Sequence, residues 1–190
     1  LLGYFLFKLN LFSTTRVINM KSLTNLKGLT LSSAAALTLL SSNAFAAELD
    51  IKITNLTQGI YLTPFLVAAH TPDASLYEVG TAASSELQMM AEGGDISGLV
   101  AVVDAVNADK VENPAGGLLA PGMSVDITEF STMDDNTVLS AVSMLLPTND
   151  GFVGLDNWQI PTEAGTYTMY LNGYDAGTEA NDEIINGGGA

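Results

Sequence analysis

The chain has 190 residues, with six basic against 21 acidic side chains, a formal charge of −15 and no cysteine. Disulfides and thiol chemistry are excluded, and nucleic acid is a poor partner because phosphate binding needs clustered basic groups. From Ala47 onward Lys52 and Lys110 face all 21 acids, so the formal charge there is −19, a self-repulsion that salt or divalent cations would relieve.

Residues 1–19 start with Leu and open on the apolar run Leu1-Leu2-Gly3-Tyr4-Phe5-Leu6-Phe7, read as upstream mistranslation or a fragment extension with no part in the fold. Met20-Lys21 then begins a short basic segment with Lys27, an apolar run follows from Leu29 to Leu40, and Ala44-Phe45-Ala46 supplies small residues at a cleavage site. Residues 20–46 are therefore expected to be a signal peptide, with the mature start at Ala47 and a secreted or periplasmic location. The apolar run falls short of the roughly 20 residues a bilayer span requires, and no membrane span is expected in the mature chain. The domain is placed at 47–183, followed by a glycine-rich tail at 184–190. One domain with a single core suits that length.

Leu49 to Asn55 alternates apolar and polar residues, as a strand with one buried face does. Asn55-Leu56-Thr57 matches a glycosylation sequon, a three-residue pattern that arises often by chance. Phe65 to His70 is a short apolar run ended by Thr71-Pro72-Asp73. Between Ser84 and Val106 the period lengthens: Ser84 or Ser85 caps one helix through Met90, and apolar residues at 96, 99, 100, 102 and 103 mark a second. Met123 to Phe130 returns to period two. Val138 to Leu146 is apolar apart from Ser140 and Ser143, which predicts a strand buried on both faces. Phe152 and Val153 lead a short segment, and Gly165 to Leu171 reads as an aromatic-rich strand. At least five strands with helices confined to 84–106 give a mostly β chain, an antiparallel β-sandwich.

Two acidic turns, 147–156 and 174–183, concentrate carboxylates beside glycine, the composition of a loop that wraps a hard cation such as calcium. Ser143-Met144-Leu145-Leu146-Pro147-Thr148-Asn149-Asp150-Gly151-Phe152-Val153-Gly154-Leu155-Asp156, followed by Tyr174-Asp175-Ala176-Gly177-Thr178-Glu179, resembles the spondin N-terminal domain family. The resemblance runs from about Leu49 through Glu183 and takes in Ile53-Thr54-Asn55-Leu56-Thr57 and the 64–70 strand. It implies a C2-like β-sandwich that binds calcium at one end, with Asp150, Asp175 and Glu179 as carboxylate ligands. Spacing is compatible: Asp175 and Glu179 stand four apart across a glycine-containing loop, and Asp150 ends a strand about 25 residues earlier. Glu179 stands where animal members tend to carry Asp. The animal members' cysteines are missing, and the family domain is expected to continue past Ala190 to a final strand.

Asp156 and Asp182 are weaker ligand candidates, Asp156 being able to fix its own turn. His70, the sole histidine, is expected to make a structural hydrogen bond. Phe152, Trp158 and tyrosines 167, 170 and 174 are assigned to packing over an exposed recognition patch. The resulting reading is an exported, non-enzymatic calcium-binding adhesion or recognition module, its partner an extracellular protein or a surface polysaccharide. A hydrolase acting on polysaccharide through paired carboxylates is one alternative, and a structural domain without a bound metal is the other.

Overall fold

The computed structural model describes residues 7–15 and 47–180. The sequence-based assignments at 20–46 and 184–190, and Asp182, lie outside the described residues.

Among the described residues, nine strands join in one antiparallel sheet in the order β5-β4-β7-β8-β9-β1-β2-β6, with β3 paired to β7. They are β1 (Phe7–Thr15), β2 (Ala47–Asn55), β3 (Tyr61–Leu62), β4 (Leu66–His70), β5 (Asp109–Glu112), β6 (Ser124–Ser131), β7 (Val138–Leu146), β8 (Gly151–Gln159) and β9 (Gly165–Asp175). Helices α1 (Ser85–Gly93) and α2 (Ser97–Asp104) come between β4 and β5. The expected sandwich is present: the inward faces of β2, β6 and β9 meet those of β4 and β7 in a core that holds Leu49, Ile51, Ile53, Val67, Leu139 and Leu171.

β7 is the pivot. Its odd residues Leu139, Ala141 and Leu145 enter that core, whereas Val142 and Met144 join Leu66, Phe152, Leu87, Met90, Leu99 and Val103 in a second cluster beneath the helices. Burial on both faces explains its unbroken apolar sequence. α1 begins where Ser84 Oγ accepts the Leu87 N–H at 3.1 Å, and ends at Gly94 in the left-handed region with φ 69°. Its buried residues Leu87, Met90 and Ala91 recur at three and four positions, which sets the face laid on β7.

Residues 7–15, within the stretch set apart on sequence grounds, lie inside the sheet. β1 pairs antiparallel with β2 from Phe7↔Asn55 to Thr15↔Ala47 and with β9 from Phe7↔Leu171 to Ser13↔Gly165. Its alternating sequence sets Phe7, Leu9 and Leu11 across from the buried Asn55, Ile53 and Ile51. A period of two thus matches the pleat of its neighbours.

Among the described residues, register shifts interrupt two of the strand pairs. The β2–β6 register shifts between Leu49 and Ile51, with Glu129 at φ 56°, and the β7–β8 register shifts between Leu139 and Ala141, with Asn157 at φ 52°. In each, the amide freed from the ladder finds a side chain: Glu129 N–H donates to Asp50 Oδ1 at 2.9 Å, and Asn157 N–H to Ser140 Oγ at 2.9 Å. β8 is longer than the short segment expected because its second half, Asp156 to Gln159, is polar and follows this bulge.

Candidate functional site

Asp150 ends the turn between β7 and β8. Thr148 Oγ1 accepts the Gly151 N–H at 3.0 Å, and a Cβ on Gly151 would sit 2.5 Å from that oxygen, so the turn needs glycine there. Asp150 is 5 % exposed. Its Oδ2 accepts the Thr178 N–H at 2.9 Å and the Glu179 N–H at 3.1 Å, and the Ala176 N–H donates to its carbonyl at 3.1 Å. The carboxylate thereby clamps the loop that follows β9.

The sequence pattern brought the right segments together and left the atoms open. Asp175 Oδ1 accepts the Gly177 N–H at 2.7 Å, a local turn at an exposed residue. Glu179 meets Asp150 through its main-chain amide, and its side chain belongs to an exposed residue. Among the described residues, no group of three or more His, Asp or Glu side chains is assembled to hold a metal ion. The donors around Asp150 Oδ2 are two main-chain N–H groups and, at 3.4 Å, the Thr178 hydroxyl, so that oxygen is already engaged in hydrogen bonds.

A second carboxylate organises the other half of β8. Asp156 Oδ1 accepts the Leu76 N–H at 2.8 Å, and its Oδ2 lies 2.7 Å from Ser75 Oγ and accepts the Asn157 Nδ2–H at 2.9 Å. Asn157 Nδ2 also reaches the Ala74 carbonyl at 3.0 Å. Asp156 thus fastens a loop some 80 residues away and does not serve its own turn alone. Nothing local in the sequence signals such a long-range bond.

Beneath it, His70 and Ser140 are fully buried. His70 Nδ1 donates to the Thr71 carbonyl at 2.8 Å, and its Nε2 lies 2.8 Å from Ser140 Oγ. Ser140 Oγ also lies 3.3 Å from Asp156 Oδ1, a carboxylate oxygen that can only accept. Histidine, serine and aspartate meet here, yet Ser140 has no surface from which to attack a substrate and stands between the other two. This is a structural relay, as expected for His70, and not a nucleophilic triad.

The fastened loop carries Tyr77 onto the sheet. Its ring stands 5.1 Å from Phe152 and 5.1 Å from Tyr174, which are themselves 5.4 Å apart. Gly154 makes room: a Cβ there would lie 2.6 Å from Tyr77 Cε1. Burial, then the Tyr174 hydroxyl and the Asp156 charge, push the Tyr77 phenol well above the usual tyrosine range. Phe152 and Tyr174 serve packing as anticipated, Trp158 packs on Tyr167 with centroids 6.3 Å apart, and Tyr170 is 57 % exposed.

The sequon is spent on structure. Asn55 is fully buried, its Nδ2 donates to the Ile60 and Leu119 carbonyls at 2.8 and 3.0 Å, and its Oδ1 accepts from Thr57. It joins the 55–62 and 113–123 segments and has no free amide to carry a glycan.

No helix among the described residues is long and apolar enough to cross a membrane. No curated protein matches the chain. The family model described as Spondin_N matches residues 54–183, from the last pairs of β2 to the loop clamped by Asp150. That match covers more than half of the chain and takes in both acidic turns together with the strands that position them; the chain belongs to the spondin N-terminal domain family.

Proposed function

We propose that this is an exported, non-enzymatic binding module of adhesion type whose end loops are held by carboxylate–amide hydrogen bonds and need no resident metal. The observation that supports it is Asp150, buried and already accepting main-chain N–H groups from Thr178 and Glu179. The sole histidine is buried and serves structure, which speaks against acid–base work at neutral pH. Export rests on the leader pattern at 20–46.

A second reading, calcium held by Asp150, Asp175 and Glu179, is favoured by family membership and by the pairing of Gly151 with Asp175, which sets the first two at one end of the sheet. Thermal melts in EDTA and in millimolar calcium or magnesium at fixed ionic strength separate the two. A clamp without metal gives equal midpoints in both divalent ions, with at most a shared rise from screening. A rise specific to calcium, lost in Asp175→Ala, would replace the clamp by the metal.

The clamp also predicts unequal variants. Asp150→Ala leaves part-buried amides without their acceptor and should cost about 2 kcal/mol. Asp175→Ala and Glu179→Ala, at exposed side chains, should cost under about 0.5 kcal/mol by urea denaturation. Equal losses at all three would instead signal a shared ion.

A further inference from the structure

We propose that the open cleft between the 75–79 loop and β9 binds a neutral saccharide, with Tyr170 as its stacking platform. The cleft has a volume of about 470 Å³ and is bordered by Tyr77, Glu78, Gly154, Tyr170, Asn172 and Tyr174. That volume falls within the roughly 300–1,000 Å³ of small-ligand sites.

Three observations fix the ligand class. Tyr170, Asn172 and Tyr174 alternate along β9 and so share one face, with Tyr170 exposed and Tyr174 held in place by Tyr77 and Phe152. An exposed phenol ring above a rigid aromatic wall offers a flat apolar surface to the C–H face of a sugar ring. Beside it, the exposed Asn172 amide and the exposed Glu78 carboxylate supply donors and acceptors for hydroxyl groups. Among the residues whose side chains are described, Glu78 and Asp156 line the cleft and no basic one does. These carboxylates would repel phosphate, sulfate or uronate groups, which favours an uncharged sugar.

The site is also built and not incidental. Asp156 ties down the loop that forms one wall, and Gly154 lets the Tyr77 ring of that loop pack directly against β8. Rigid walls lower the ordering cost of binding, which matters for a ligand held by a few hydrogen bonds and one stacked ring.

The inference rests on the binding-module reading and is tested both in EDTA and in millimolar calcium, so that a calcium requirement cannot imitate its failure. Titrating the full chain with cellohexaose, laminarihexaose and mannohexaose by calorimetry should show saturation by at least one of them. Tyr170→Ala and Asn172→Ala should each weaken that binding about tenfold or more, and Tyr61→Ala, an exposed tyrosine of β3, should not. Absence of saturation by any of the three at millimolar concentration would overturn the inference, as would binding that survives Tyr170→Ala or a preference for polygalacturonate. The melts in calcium and EDTA stand apart from these titrations: a calcium-specific rise sinks the metal-free clamp, and a failed titration sinks the saccharide alone.

Discussion

Asp156→Ala should be the most damaging single polar change in the protein, lowering stability by about 3 kcal/mol and the melting midpoint by on the order of 10 °C. Its carboxylate takes the Leu76 amide, the Asn157 side-chain amide and the Ser75 hydroxyl, and hydrogen bonds to a charged acceptor are stronger than neutral ones. Removal strands the Leu76 amide and deprives the bulge at Asn157 of its neighbour. Asp156→Asn keeps the shape but turns an N–H₂ toward one set of donors, so it should recover less than half of the loss. Urea denaturation measures both, and hydrogen exchange at Leu76 reports the loop directly. A loss for Asp156→Ala below that of Ser75→Ala would mean that Asp156 does not hold the loop.

Gly154→Val comes next, with an expected cost of about 3 kcal/mol, because its Cβ would meet Tyr77 Cε1 at 2.6 Å and Oη at 2.7 Å. The ring cannot withdraw without opening its contacts to Phe152 and Tyr174. An optical signature accompanies the change. The folded Tyr77 phenol is raised above the tyrosine range while the unfolded one ionises near pH 10, so the folded state keeps a proton that the unfolded state releases. Tyr77's contribution to stability is thus constant below about pH 10 and falls as the pH climbs beyond it. In the wild type, Tyr77 should ionise only with unfolding when absorbance at 295 nm is followed; in Gly154→Val that delayed step should vanish. Ionisation of Tyr77 near pH 10 in the folded wild type would contradict its half-buried packing on Phe152 and Tyr174.

Strands whose chemistry is local were legible before any coordinates. β2 and β6 show their buried faces by alternation, and β7 shows burial on both faces by unbroken apolarity. β5 reads Asp-Lys-Val-Glu and carries no such period, because it is a short strand at the end of the sheet and needs only main-chain pairing to β4. β8 hid its length behind a bulge whose positive φ at Asn157 costs an amide that Ser140, 17 residues earlier, then accepts.

The candidate site divides along the same line. Carboxylates in glycine-rich turns were visible, and Asp150 and the 176–179 loop do meet. What they exchange could not be read, since a carboxylate looks alike in sequence whether its partner is a cation or an N–H, and main-chain donors have no letter. Asp156 was undervalued because its partners lie on a loop far back in the chain. Tyr77 passed unremarked for the same reason: its place depends on Gly154, and a missing side chain marks a contact surface only after the fold has formed.

Among the described residues the sheet ends at β5 and β6, and both end strands are charged: Asp109, Lys110 and Glu112 on one, Asp126 and Glu129 on the other. Open edges invite pairing with another chain, and a preponderance of one sign on both makes two copies repel as their edges approach. The bulge at Glu129 further bends the β6 edge away from a flat template. The acidity that opposes compaction therefore also acts as a barrier to polymerisation. Acid or concentrated salt, which quench that charge, lower the barrier before they reach the core.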